Sequence, residues 1–347
     1  MLNKWIFSVL LGLSISVCFA QSTLPLDTFG ISMFYETKTG TQSWNSAHWG
    51  NGIARTIRYA PDPHDPTDWT EDHSASTQGF IIDGQGMMSM AGGPRFHINS
   101  LRTKKVPAQF FLNTEFTAYY RRIGSGGKNW GGMVVGARSG ALGHASSGGD
   151  DCDGTTYYAR FRHDGKWDFE KELKHPTSSY WSTGGYNTQT PLWGGSPLPE
   201  NRWIGMKYLT YNIENNTKVK LELYIDSISN GTPVNGGHWE KVFELVDEGN
   251  WPVPGGTGGC SYTDEKYIIN PGQGTFLMRT DDAGADYKMV SIREIDLDKA
   301  TTSIRQSNPS IKQSKPAKMQ LEIRPPSMRT KSNESIKKVN LQGAKAR

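Results

Sequence analysis

The sequence predicts an all-β protein built as a two-sheet antiparallel β-sandwich, on three observations. The composition has 39 Gly, 11 Trp, 14 Tyr and 13 Phe with only 21% charged residues, a balance that suits turn-rich β-structure and excludes a coiled coil or helical bundle. From Leu24 to about Leu297, short apolar-patterned runs alternate with Gly, Pro, Asn and Ser clusters, which is sandwich spacing. Within several runs apolar and polar residues alternate one by one, as they do on a strand with one face in a core.

The strand candidates, in order, are Gln109 to Arg122, Gly132 to Ala137, Thr155 to His163, Lys166 to Leu173, Trp203 to Asn212, Lys218 to Asp226, Trp239 to Val246, Gly274 to Thr280 and Asp286 to Ile295. Asn230-Gly231 and Asn235-Gly236-Gly237 punctuate the loops. Asp164-Gly165 makes a hairpin turn, so the strands on either side of it should be neighbours. The stretch Ala60 to Ser76, rich in Pro and Asp, reads as a long surface loop.

The formal charge of +4 over 347 residues divides unevenly. Residues 301–347 carry 11 Lys or Arg against Glu322 and Glu334, a net of +9, while residues 21–300 carry 26 basic and 32 acidic side chains, a net of −6. A broadly basic groove for nucleic acid is therefore not expected on residues 21–300. The basic segment, without aromatic residues, reads as a disordered tail that could touch anionic surfaces. Residues 1–20, with Lys4, an apolar run from Trp5 to Val17 and small residues at Cys18 and Ala20, read as a signal peptide, which predicts a secreted or periplasmic protein. That run is shorter than a bilayer span of about 20 residues, and no later segment is apolar enough to cross. Removal of Cys18 would leave Cys152 and Cys260 as an even pair in an exported chain, expected to form a disulfide.

Sorting the strands by face collects the candidate functional residues. On the first, Asn113, Glu115, Thr117, Tyr119 and Arg121 lie opposite Leu112, Phe116, Ala118 and Tyr120. On the third, Tyr158, Arg160 and Arg162 lie opposite Tyr157, Ala159 and Phe161, and Lys207 and Arg279 are polar positions in otherwise apolar strands. Such a set suits sugar recognition, in which rings stack on sugars and guanidinium forks hold carboxylates; an ordinary solvated sheet face is the plainer reading.

Two mechanisms fit the segment YARFRHDGKWDFEKELKHP (Tyr158 to Pro176). In a β-elimination, Arg160 or Arg162 neutralises a uronate carboxylate. Tyr158, His175 or Lys171 then removes the acidified proton, and a Tyr or Lys protonates the leaving oxygen. Asn113, Glu115, Tyr119, Arg121, Arg162, Lys207 and Arg279 would bind the chain. In a retaining hydrolysis, Asp168, Glu170 and Glu172 project from one strand face. Lys171 shares the face of Trp167, which counts against it as a base.

Two acidic runs, Asp150, Asp151 and Asp153, and Asp62, Asp65, Asp68 and Asp72, could hold Ca2+ but lack the EF-hand order. The eight His show no pair at metal-ligand spacing, so no metal centre or other cofactor is expected. Asn215, Asn230 and Asn333 begin glycosylation sequons. No Ser/His/Asp elbow or phosphate loop is present.

The region from about Gly30 to Ile295 resembles secreted proteins of the concanavalin A-like lectin/glucanase class, including jelly-roll polysaccharide lyases. The resemblance rests on GARSG (Gly136 to Gly140), YARFRHDGKWDFEKELKHP, WIGMKYLTYN (Trp203 to Asn212), LELYID (Leu221 to Asp226) and YKMVSIREI (Tyr287 to Ile295). DFEKE is similar to the Glu-x-Asp-x-Glu strand of laminarinase-like hydrolases, with Asp and Glu exchanged at the first two positions. The resemblance implies a jelly roll with a glycan site on its concave sheet. The expectation is a protein that engages a polysaccharide, foremost as a lyase on an acidic glycan, alternatively as a lectin-like binding module or a hydrolase.

Overall fold

The computed structural model describes residues 24–57, 60–73, 80–91, 95–100, 111–124, 128–140, 150–193, 197–281 and 283–300. The expected signal peptide and basic tail lie outside the described residues. The strands are β1 Tyr35–Thr37, β2 Ser43–Asn45, β3 Arg55–Ile57, β4 Ala60–Pro61, β5 Trp69–His73, β6 Phe80–Ile82, β7 Met87–Met90, β8 Arg95–Ser100 and β9 Thr114–Ile123. They continue with β10 Gly132–Ser139, β11 Thr156–Arg162, β12 Trp167–Lys174, β13 Thr177–Trp181, β14 Trp203–Ile213, β15 Lys218–Asp226, β16 Glu240–Asp247, β17 Thr275–Arg279 and β18 Gly284–Ala300. Short 3-10 turns cover Ser46–Gly50 and Asp151–Gly154.

These strands make two antiparallel sheets. One has ten strands, ordered β16-β15-β14-β9-β18-β7-β6-β3 with β1 and β2 also pairing onto β18; the other has eight, ordered β13-β12-β11-β10-β17-β8-β5-β4. The alternation read from the sequence sets the inner faces. Phe116, Ala118 and Tyr120 of β9 and Ile204, Met206 and Tyr208 of β14 meet Tyr157, Ala159 and Phe161 of β11 and Phe169 and Leu173 of β12 in one core. Each large side chain so buried contributes at most about 1.5–3 kcal/mol. In β18 the register shifts between Lys288 and Ser291, where Met289 has φ +51°. This bulge explains how Tyr287, Val290 and Ile292 all reach the core despite their odd first spacing.

The strand at Lys218–Asp226 has the bounds expected from sequence, and the β11–β12 hairpin turns at Asp164-Gly165 with Gly165 at φ +82°. The disulfide is formed, with Sγ atoms of Cys152 and Cys260 2.05 Å apart. The expected loop from Ala60 to Ser76 is corrected. It contains β4 and β5, and Asp62, Trp69 and Glu71 are about 1% exposed, because Trp44, Trp49 and His48 pack over it.

Candidate functional site

The outer face of the eight-stranded sheet, turned away from the core, carries an ionic ladder. Register places Arg160 opposite Asp168 and Tyr158 opposite Glu170 across β11 and β12, and Glu170 opposite Tyr180 of β13. On the other side of β10, whose Val134 lies opposite both Arg160 and Arg279, β17 brings Arg279 to the same face.

Arg160, Arg162 and Arg279 are each matched to acid. Arg160 grips Asp168 through Nε to Oδ1 at 3.0 Å and Nη2 to Oδ2 at 3.0 Å, and reaches Asp281 at 3.2 Å. Arg162 pairs with Asp164 at 2.9 Å and lies over the Tyr186 ring at 3.7 Å. Arg279 donates to Glu170 and holds Asp281 through Nε at 3.0 Å. Its guanidinium also sits 4.4 Å over the Tyr158 ring. Burial alone would lower the Arg160 pKa, but Asp168, Tyr180, Glu170 and Asp281 hold it well above the ordinary value, so the charge stays. Bidentate, desolvated pairs of this kind are strong where complete.

At the β10–β11 end, Glu172 accepts the Tyr158 hydroxyl on Oε2 at 2.7 Å, while its Oε1 lies 2.9 Å from His175 Nδ1. Burial first, then Glu172, pushes the Tyr158 hydroxyl well above its ordinary pKa, so it remains a donor. Because that carboxylate can only accept, His175 carries its hydrogen on Nδ1 and its basicity on Nε2, the orientation of a base held by a carboxylate. Tyr158 is fully buried, whereas the His175 side chain is one quarter exposed. Gly136, opposite Tyr158, is required here: a Cβ would lie 2.9 Å from Leu277 and 3.0 Å from the Tyr158 ring.

Beside this dyad lies a pocket of about 210 Å³ lined by Gly140, Cys152, Asp153, Thr155, Tyr262, Tyr267, Ile269, Pro271 and Gln273. Gly154, between two of its lining residues, packs on His175. Tyr262 and Tyr267 stack with centroids 5.0 Å apart, and the disulfide fastens the 3-10 turn to the strand-free segment that carries them. Burial, with Asp150, raises the Asp153 pKa.

Several residues expected in one site are elsewhere. Lys171 lies between the sheets, its Nζ 2.7 Å from Asp247 and 3.1 Å from the Trp251 carbonyl, as its sharing of the Trp167 face requires. It cannot act as a base beside Tyr158. Glu115, Tyr119, Arg121 and Lys207 belong to β9 and β14, on the outer face of the other sheet. There Lys207 and Arg293 each hold Glu115 at 2.8 Å, Tyr119 donates to Asp226 at 2.7 Å, and Arg121 donates to Asp286 at 2.9 Å. Asn113 accepts the Asn212 backbone N–H at 2.9 Å. The expected convergence of Tyr158 and Arg160 with these residues does not occur. Asp168, Glu170 and Glu172 do share a face, but all three are engaged by Arg160, Arg279 and the Tyr158–His175 pair.

Sequence reasoning missed Tyr180, Asp281 and the Tyr262–Tyr267 pocket. The first two join the ladder through β13 and the end of β17. The third depends on the disulfide, whose sequence separation of 108 hides it from any local pattern. Asp150 caps its own 3-10 turn by accepting the Cys152 N–H at 2.9 Å. Of the two acidic runs, Asp62 alone joins a three-residue donor cluster among the described residues, and its partners are His48 and Glu71. The side chain of Asp72 is outside the description.

The architecture is a two-sheet antiparallel β-sandwich. No protein-family model and no curated protein matches the sequence. Solved structures of similar arrangement include the marine PL-14 alginate lyase from Aplysia kurodai, at 11% identity over 73% of this chain and 89% of that one, TM-score 0.32. Cellulose induced protein Cip1 is similar at 12% identity over 70% and 97%, TM-score 0.35. The metal-free exoplasmic/lumenal domain of VIP36 is similar at 12% over 72% and 97%, TM-score 0.35. Likeness of this degree carries no argument about activity, which rests on the site itself.

Proposed function

We propose that this is an exported, carbohydrate-active protein that takes a polysaccharide at the β10–β11 end of the eight-stranded sheet, with His175 as the base of a β-elimination on a uronate-containing chain. The observation that carries this reading is the chain of contacts from Tyr158 through Glu172 to His175, in which a buried hydroxyl and a carboxylate orient a partly exposed imidazole. His175 Nε2 takes the proton on the carbon next to the uronate carboxylate. The electrons form the ring double bond as the glycosidic bond breaks, and the proton held by His175 returns to the leaving oxygen. The stacked Tyr262 and Tyr267 offer a sugar platform, and Thr155, Tyr267 and Gln273 offer donors to the carboxylate. Tyr158 is a positioning residue in this scheme. The apolar leader at Trp5 to Val17 and the Cys152–Cys260 disulfide support export.

Binding without cleavage is the second reading. It is favoured by the pairing of Arg160, Arg162 and Arg279 with Asp168, Asp164, Asp281 and Glu170, which commits the ladder's arginines before any anionic sugar arrives.

The test incubates the full-length protein with uronate-containing and neutral polysaccharides while ultraviolet absorbance and reducing ends are followed together. Rising absorbance is expected on a uronate chain, and His175→Ala should lose about 10²–10⁴-fold in rate while keeping retention on a polysaccharide column. Tyr158→Phe should lose about tenfold, through a misoriented imidazole. Wild-type elimination by His175→Ala would overturn His175 as the base. Reducing ends without absorbance would mean a hydrolase, and retention with neither signal a binding protein.

A further inference from the structure

Near the opposite edge of the eight-stranded sheet, three segments bring together His48, Asp62 and Glu71. His48 comes from the 3-10 turn after β2, Asp62 follows β4, and Glu71 lies in β5. The two carboxylates are about 1% exposed and His48 6%. His48 Nε2 lies 3.2 Å from Glu71 Oε1 and 3.6 Å from Asp62 Oδ2, and one ligand atom of each of the three residues lies within 4.8 Å of those of the other two.

The surroundings leave one atom of each residue for the centre. Asp62 Oδ1 accepts the backbone N–H groups of His64 and Asp65 at 2.7 and 3.3 Å, and Glu71 Oε2 takes Arg55 at 2.6 Å. The converging oxygens receive indole N–H groups: Trp44 donates to Asp62 Oδ2 at 2.6 Å and Trp49 to Glu71 Oε1 at 3.4 Å. On the far side of the imidazole, Nδ1 lies 3.1 Å from the Asn45 carbonyl oxygen, which can only accept. Nδ1 therefore holds the hydrogen, and in a neutral ring Nε2 turns its lone pair toward two carboxylate oxygens. A cation at the centre relieves three acceptors facing one another. Nδ1–H to a backbone carbonyl with Nε2 inward is also how metal-bound histidines are oriented.

We propose that His48 Nε2, Asp62 Oδ2 and Glu71 Oε1 bind a divalent transition-metal ion of the zinc class. Ligand atoms about 2.0–2.1 Å from a tetrahedral zinc stand about 3.3 Å apart, close to the two measured separations. Calcium is the poorer fit, since an imidazole and two single oxygens fall short of its six to eight oxygens. The fourth position belongs to water or to His64, whose exposed ring stacks on His48 with centroids 5.9 Å apart. The turn bearing His48 follows β2, which pairs in the ten-stranded sheet, while Glu71 is in the eight-stranded one. The ion thus clips the two sheets together, far along the sheet from His175.

The experiment strips full-length protein with chelator and adds Co2+ or Zn2+ alone. The expected result is a single ion retained per chain after dialysis, tetrahedral visible bands with Co2+, and a Tm raised by several degrees with Zn2+. His48→Gln, whose amide can still donate to both carboxylates, should fold and lose the bands and the Tm shift. Asp62→Asn supplies a second variant should that one not fold. Wild-type protein that retains no metal and shows no Tm shift would overturn the site and leave an imidazolium paired with two carboxylates. Undiminished Co2+ bands in a folded variant would overturn it too.

Discussion

Glu115 shows how far a single buried charge depends on its partners. It takes Lys207 and Arg293 at 2.8 Å and the Phe34 backbone N–H at 3.2 Å. Burial opposes its ionisation, but Arg293 and Lys207 outweigh it, and its pKa falls below the ordinary 4.5. A carboxyl whose folded pKa is depressed adds stability that is present above its unfolded value and is lost as pH falls through the folded one. Glu115→Gln leaves two buried cations facing an uncharged amide and should cost about 3–5 kcal/mol at pH 7. In urea titrations, the gap between variant and wild type should narrow as pH drops below 4.5. A gap independent of pH would mean that the loss comes from packing. The same reasoning separates Glu115 from Glu172. The former is closed in by cations, whereas the latter faces a hydroxyl and a partly exposed imidazole.

At the scale of strands, the β11–β12 hairpin tests how local signals build the site. Tyr158, Arg160 and Arg162 share one face because strand side chains alternate, and Gly136 on β10 makes room for the Tyr158 ring. Gly136→Ala should push that ring off Glu172 and cost about 1–3 kcal/mol of stability. Elimination should be weakened as in Tyr158→Phe; a Tm and a rate both equal to wild type would refute the close approach. This hairpin was legible in the sequence, through its alternation and its Asp164-Gly165 turn. The sheet to which each polar face belongs was not. Alternation tells core from outside, but a sandwich has two outsides, so Glu115 of β9 and Arg160 of β11 looked alike and stand on opposite ones. Strand β5 was hidden for another reason: Asp62 and Glu71 look like loop acids until His48, Trp44, Trp49 and Arg55 arrive from elsewhere in the chain.

Across the whole molecule, those two outer faces do different work, and the division can be tested. On the ten-stranded side, the segment leading into β1 lies over the sheet. Phe34 meets the Tyr224 ring at 4.6 Å in a cluster with Leu209, Tyr211 and Ile295, and the Lys207 ammonium sits 5.1 Å over the Phe34 ring. That face is closed by the chain itself, and its polar groups are spent on holding the cover. On the eight-stranded side the ladder ends at His175 and an open pocket, where a ligand can enter. Phe34→Ala should therefore cost about 3–5 kcal/mol, read as a lower urea midpoint. Below that midpoint its folded fraction should bind and cleave polysaccharide as wild type does. His175→Ala should do the reverse, with the midpoint kept and the elimination lost. The two changes lie on separate sheets with the core between them, so their stability effects should add within about 0.5 kcal/mol in the double variant. A larger deviation, or elimination lost in folded Phe34→Ala, would mean that the covering segment acts on the site through the core, and that the two faces are one device.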